Sequence, residues 1–333
     1  MATLAKVSDL DYIVFLLAAQ TVFSCVEAAR TDGVQDTPPA HDAYTRLLQR
    51  LPPDTEALWH EVAPHIEKTT GILVMDDTTL DKPHARHMAL VRRHWSGKHK
   101  RTVSGINLMT LLWTDGGAKL PIDCRLDDQE TTEITRNEYF RAMLDTAEGR
   151  EFVPGYVCFD SWYSSLANLK HIRKKGWHWL CRLKSNRIVN HDKQGQRPLG
   201  AVNIPPEGLI VYLRGYGLVR VFALVDENME HVAFWAASDL AMTEEKRQQI
   251  ASHALAIEEY HRGLKSCCGV ERCQARSERR VRNHILLALR AFVRLEQQRI
   301  AADKSWYALK MEPLRDAVRQ ARHTWNLLNA TTA

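Results

Sequence analysis

Cysteine is scarce: seven residues among 333, an odd number scattered along the chain. That argues against a disulfide framework and for a reducing, cytoplasmic setting. Cys267, Cys268 and Cys273 form one loose cluster, whereas a structural zinc site uses two paired half-sites, so plain thiols are expected. Long apolar runs are missing too. The stretch Ile13 to Ala19 falls far short of the roughly 18 residues of a membrane span. Asp9 and Asp11 precede it, where a signal peptide carries positive charge. No internal repeat, no low-complexity tract and no Gly-Lys-Thr/Ser phosphate loop is present, so neither a solenoid nor a nucleotide cofactor is expected. Net charge is small, with 45 Lys and Arg against 40 Asp and Glu.

Composition is that of a globular chain, 45% hydrophobic and 26% charged. The charge is unevenly spread. Residues 1–70 hold 5 basic and 10 acidic side chains, and residues 241–333 hold 17 and 10. An acidic front and a basic rear suggest a surface for a polyanion at one side.

Residues 1–67 read as an N-terminal domain of short helices, the first capped by Ser8. From Gly71 the pattern changes. Gly71-Ile-Leu-Val-Met-Asp-Asp77 predicts a buried strand ending in carboxylates. Runs at 106–114 and 118–126 predict a hairpin turning at Asp115-Gly116-Gly117. Thr135 and Glu138 form a capping box for a helix. Tyr156 to Asp160 is a further strand ending in a carboxylate. A helix follows it, and then an alternating strand with Trp177 and Trp179. Three strands, helix, strand, helix, strand make a mixed sheet with helical crossovers. Residues 68–185 thus form the first part of an α/β domain. Residues 186–240 read as a β-rich insertion, 241–275 as a helical region starting near Thr243, and 276–333 as a C-terminal helical region.

Two strands end in acids, Asp77 and Asp160, and strand ends commonly form sites. A third acid, Glu258, lies on the later helix. Arg262 and Lys265 share its face, and Ile250, Ile257 and Leu264 form a neighbouring docking stripe. Asp76 and Asp77 alternate faces, so only one can enter a site, and Glu259 competes with Glu258. Three converging carboxylates demand cations, and oxygen ligands select Mg²⁺ or Mn²⁺. Two such ions can activate an attacking hydroxyl and stabilise a leaving 3′-oxygen.

Asp76-Asp77-Thr78-Thr79, Phe159-Asp160-Ser161-Trp162-Tyr163 and Ile257-Glu258-Glu259-Tyr260-His261-Arg262-Gly263-Leu264-Lys265 resemble the three catalytic motifs of bacterial insertion-sequence DDE transposases. They are closest to the group with a glutamate–lysine signature, and Gly269-Val270-Glu271-Arg272 adds to the likeness. The resemblance implies a ribonuclease-H-like fold with the β-rich insertion before the last catalytic helix. It implies Mg²⁺-dependent cutting of element ends and strand transfer, with Mn²⁺ able to substitute. By motif position the catalytic acids and metal ligands are Asp77, Asp160 and Glu258, and Lys265 is the signature lysine. The signature's tyrosine and arginine fall on Ala251 and Ala254. The implied partners are double-stranded DNA (terminal inverted repeats and target) and a second copy of the chain, with no membrane. A nuclease of the same fold that never joins strands, and a decayed DNA-binding derivative, are the alternatives.

Basic residues supply the expected DNA contacts. Arg262 and Lys265 follow Glu258. Arg92, Arg93, Lys98, Lys100 and Arg101 surround Trp95 in an expected loop after the first strand. Lys174, Lys175, Arg182 and Lys184 follow the Asp160 motif. Some members of the group hold a flipped base on an aromatic residue of the insertion, for which Trp235 is a loose match.

Overall fold

In a computed structural model, residues 7–32, 38–96, 100–128, 133–193, 195–225 and 232–331 are described. The elements in chain order begin with helices α1 (Asp9–Ala18), α2 (Cys25–Thr31), α3 (Ala43–Arg50) and α4 (Glu56–Val62). Strands β1 (Ile72–Asp81), β2 (Arg92–Ser96), β3 (Arg101–Thr114) and β4 (Leu120–Leu126) follow. Next come α5 (Arg136–Gly149), β5 (Tyr156–Phe159), α6 (Leu166–Lys174) and β6 (Trp179–Leu183). The insertion holds β7 (Ile188–Asn190), β8 (Arg197–Pro198), β9 (Leu209–Leu213), β10 (Gly217–Val225) and β11 (Val232–Ala237). The chain closes with α7 (Glu244–Ala254), α8 (Ala256–Cys267), α9 (Glu278–Ala302) and α10 (Trp306–Thr331). Two compact units emerge, and they do not follow chain order. One gathers Met1–Glu61, Thr79–Ile106 and Tyr260–Ala333, and the other Val62–Thr78 and Asn107–Glu259.

The second unit is built on the sheet. Its strands run β4-β3-β1-β5-β6, with β1, β5 and β6 parallel and β3–β4 antiparallel. This is a meander followed by helical crossovers, the mixed α/β sheet expected. The β3–β4 turn forms because Asp115 Oδ1 accepts from the N–H groups of Gly117 and Ala118, both at 2.8 Å. Gly116 takes a φ of +98° that a side chain would resist. Thr135 and Glu138 make the predicted capping box on α5. The insertion prolongs the sheet as β6-β11-β10-β9-β7-β8. β11 lies antiparallel to β6, with Trp235 beside Arg182.

Two expectations change here. The helical region after Thr243 is split at Leu255, which accepts from the N–H groups of Glu258 and Glu259 and starts α8 afresh. The basic run expected as a loop begins as strand β2, paired with the first residues of β3. His94 is buried while Arg93 and Trp95 face outward. That period-2 alternation is hidden in the sequence by the uniform charge of the run.

The first unit is helical around α9. Val281, Ile285, Ala288, Leu289 and Phe292 are buried along α9, against which α1, α3 and α10 pack. Ser8 caps α1 through a capping box with Asp11. At its other end, buried Lys310 donates to the carbonyls of Leu16 and Leu17 at 2.9 and 2.8 Å. Those carbonyls lack helical partners, so a cation there is favourable. Arg290 joins Asp9 at 2.7 Å and Glu61 at 2.6 Å.

Candidate active site

The β1–β5 ladder runs in register from Ile72↔Tyr156 to Met75↔Phe159. One step further it sets Asp76 beside Asp160. Residues abreast in a parallel ladder share a face, and alternate residues take opposite faces. A cavity of about 410 Å³ opens beside Asp76. Its wall includes Val74, Met75 and Asp76 of β1, Cys158 and Phe159 of β5 with Asp160 beyond it, and Ile257 and Glu258 from α8. The three acid-bearing segments expected from sequence therefore meet at one cavity. Glu259, the competitor of Glu258, pairs instead with Lys119 at 3.2 Å.

Asp77 faces the other way. Its Oδ1 accepts from the Tyr163 hydroxyl at 2.7 Å, and its Oδ2 accepts from Asn107 Nδ2. Arg136 Nη1 stands 3.5 Å from Oδ2, while Arg136 Nε holds Asp127 at 2.9 Å. Tyr163 stacks on Phe140 of α5 and its hydroxyl is pushed well above the usual tyrosine range, by burial first and by Asp77 second. Asp160 caps the short 3₁₀ turn Ser161–Tyr163, its Oδ1 accepting from Trp162 N–H at 2.9 Å.

Burial raises the Asp76 carboxyl to about 8, with the charges of Asp77, Asp160 and Glu258 adding to the effect. Asp160 is raised in the same direction, by desolvation first and then by Asp77. Such mutual repulsion is what a divalent cation relieves. Cys158 is fully buried, and burial pushes its thiol far up. The donors left are carboxylate oxygens, which suit a hard divalent cation. Among the described residues no three Asp, Glu, His or Cys side chains converge on a single point, so the acids stand as wall groups rather than as a closed cage.

The same cavity has a cationic side. Trp235 lies under two guanidiniums, Arg182 at 5.2 Å and Arg247 at 5.5 Å from the ring centre. Arg247 is buried and gripped by both carboxylate oxygens of Glu244, each at 2.7 Å. It was not foreseen. Ala251 and Ala254, where the group's tyrosine and arginine are missing, line this cavity, and Arg247 stands two helical turns before Ala254. Only that spacing could have found it.

The expected DNA-contacting residues are placed variously. In the second unit Lys174, Arg182 and Lys184 are exposed. Lys175 is not: its side chain is 4% exposed, and its ammonium is bonded to Asp145 and to Glu148 at 2.6 Å. In the first unit Arg93, Lys100, Arg101 and Arg262 are exposed and Arg92 is half-buried. Lys98 lies outside the described residues. Lys265 donates to the Thr79 carbonyl at 2.7 Å and pairs with Glu271 at 3.2 Å. This unit also carries a groove of about 770 Å³ that sequence did not single out, walled by Lys82, His84, Arg86, Arg272 and Arg276 among others.

The sequence profile of the transposase DDE domain matches residues 67–294, from just before β1 into α9. The chain belongs to this family. It is a DNA transposase, of the class that cleaves DNA and transfers strands. The transposase also resembles a solved structure, a piggyBac transposase synaptic complex with hairpin DNA, at a TM-score of 0.50 and 10% identity. The match covers 94% of this chain and 71% of that one, and shows a shared fold. No curated protein is significantly similar. The family works with divalent metal ions. Among the described residues of the transposase no helix is long and apolar enough to cross a membrane.

Proposed function

We propose that the transposase acts in the cytoplasm on duplex DNA, cutting at the terminal inverted repeats of an insertion sequence and joining the freed 3′ ends to target DNA. The observation that carries this reading is the meeting of Asp76 of β1, Asp160 and Glu258 at one cavity with a cationic wall. These acids hold Mg²⁺, with Mn²⁺ able to substitute. A bound cation supplies Lewis acidity for the attacking oxygen and for the leaving 3′-oxygen. The carboxylates fix where the scissile phosphate can sit. Exposed Arg182, Lys184 and Lys174 hold the flanking phosphates, and Arg93, Lys100, Arg101 and Arg262 extend the backbone contact. Arg92, Lys98, Lys265 and Trp235 complete the expected DNA set, while the internal ion pairs of Lys175 support leaving it out.

The transposase works as a homodimer. Tyr307, Met311, Leu314 and Val318 of α10 are all at least 36% exposed and spaced by four, three and four residues. That spacing is a coiled-coil seam, which a second copy can cover.

Purified protein, Mg²⁺ and DNA carrying the element ends test this reading. Asp160→Asn and Glu258→Gln should each lower cleavage by at least a hundredfold and leave DNA binding within about threefold. Joining is assayed separately from nicking. Cleavage without any joining would make the protein a nuclease, and normal cleavage by both variants would remove the site.

A further inference from the structure

We propose that Asp76, rather than its neighbour Asp77, supplies the first of the cation-holding carboxylates, and that Asp77 is a positioning residue acting through Tyr163. The inference rests on the reading above, in which Asp160 and Glu258 hold the cation. It also departs from the motif match, which selects Asp77.

Three observations within one unit carry it. The first is register. Val74↔Cys158 and Met75↔Phe159 are abreast, so Asp76 and Asp160 extend from the same face of neighbouring strands. Asp77 is one residue out of phase, so its side chain leaves β1 in the opposite direction. The four-residue ladder of β1 on β5 pins the strand against a slip of register.

The second is the cavity. Asp76, Asp160 and Glu258 all line it, and Asp77 is not part of its wall. The third is the company Asp77 keeps. Both of its oxygens accept hydrogen bonds, from Tyr163 at 2.7 Å and from Asn107, and the Arg136 guanidinium stands at 3.5 Å. An adjacent guanidinium already balances the charge that a cation would need. Ligation by Asp77 would have to break this set and take from the buried Tyr163 hydroxyl this acceptor.

The set has a purpose on the opposite face. Tyr163 ends the 3₁₀ turn that Asp160 begins, and Asp160 spends Oδ1 on the N–H of Trp162 in that turn. By gripping Tyr163, Asp77 ties the middle of β1 to the far end of this turn. The turn fixes the Asp160 side chain where it lines the cavity. Asp76 and Asp77 thus divide the work: one enters the cavity, and the other anchors the backbone that presents its partner.

Mn²⁺ binding to the full-length protein, followed by loss of the free-ion electron paramagnetic resonance signal, tests the assignment. Asp76→Asn should weaken Mn²⁺ binding at least tenfold, as should Asp160→Asn and Glu258→Gln. Asp77→Asn should leave it within about threefold. Asp77→Ala should lower the cleavage rate constant at least tenfold at saturating Mn²⁺ with DNA affinity unchanged. Asp77→Asn, which keeps an acceptor for Tyr163, should restore most of that rate. Should Asp77→Asn not fold, Tyr163→Phe replaces it. That variant frees an oxygen of Asp77, so tighter Mn²⁺ binding would mark Asp77 as the ligand and unchanged binding would not. Weakened binding by Asp77→Asn with normal binding by Asp76→Asn overturns the proposal. Unchanged Mn²⁺ binding by Asp160→Asn and Glu258→Gln overturns the cavity as a cation site, whichever aspartate is involved.

Discussion

His284 lies wholly inside the first unit, its ring between the Tyr12 hydroxyl at 2.9 Å and the Gly269 carbonyl at 3.1 Å. Burial holds its pKa down at about 4, with Lys82 contributing repulsion, so the folded ring is neutral. The unfolded chain takes up a proton at its ordinary pKa near 6.5. Stability from this group is therefore complete above that pH and lost as pH falls toward 4. The loss amounts to roughly 3 kcal/mol at its limit. Urea unfolding midpoints between pH 7 and 4 should fall accordingly, and His284→Gln should flatten the slope while lowering stability at neutral pH. A wild-type midpoint constant across this range would mean the ring is charged in the fold. At this scale the sequence was half legible. The pair Asp76-Asp77 announced that one acid enters a site, because a strand has period 2. Periodicity alone could not say which, and the motif selected Asp77, whereas the choice depends on the register with β5, a strand some eighty residues away.

Elements were easier to read where their signals are local. The Ser8 cap, the Thr135 capping box and the Asp115-Gly116-Gly117 turn act within three or four residues, and each formed where expected. The break at Leu255 and strand β2 carry no such local mark. β2 is a strand because β3 offers it an edge, not because charged residues favour extension. Within α8, Gly263 is where the helix passes closest to its neighbours. An added Cβ there would stand 2.8 Å from the Trp306 ring and 3.0 Å from Phe292. Gly263→Ala should cost about 1–3 kcal/mol through overpacking, despite the better helix propensity of alanine. Calorimetry that finds the variant equal or more stable would show that Trp306 gives way freely. On α10, Leu314→Glu with Val318→Glu should convert a dimer to monomer in light scattering without lowering the melting temperature.

For the whole molecule, the acidic front and basic rear have a second explanation beside a polyanion. Asp9 and Glu61 from the front are joined to Arg290 and Arg294 from the rear, so part of the asymmetry is spent on internal pairs. Cations left outward, such as Arg86, Arg272 and Arg276 around the groove of the first unit, are the better measure of a DNA surface. Replacing all three by alanine should reduce the slope of log affinity against log salt by about 2–3, since each phosphate contact releases close to one counterion. An unchanged slope would place DNA elsewhere. The mixed sheet was legible because β1 and β5 carry short apolar runs followed by acids, although β1 itself continues to Asp81. The grouping into units was not, because segments far apart in the chain share each core.

The pairing of β11 with β6 has a practical corollary for anyone who trims this protein to a minimal catalytic fragment. Excising the insertion would strip β6 of its outer neighbour, exposing a row of amide and carbonyl groups flanked by Trp179 and Leu183. Bare apolar rims of that kind recruit one another. The shortened enzyme should precipitate through strand-to-strand association unless β11, or a substitute ribbon, is grafted back.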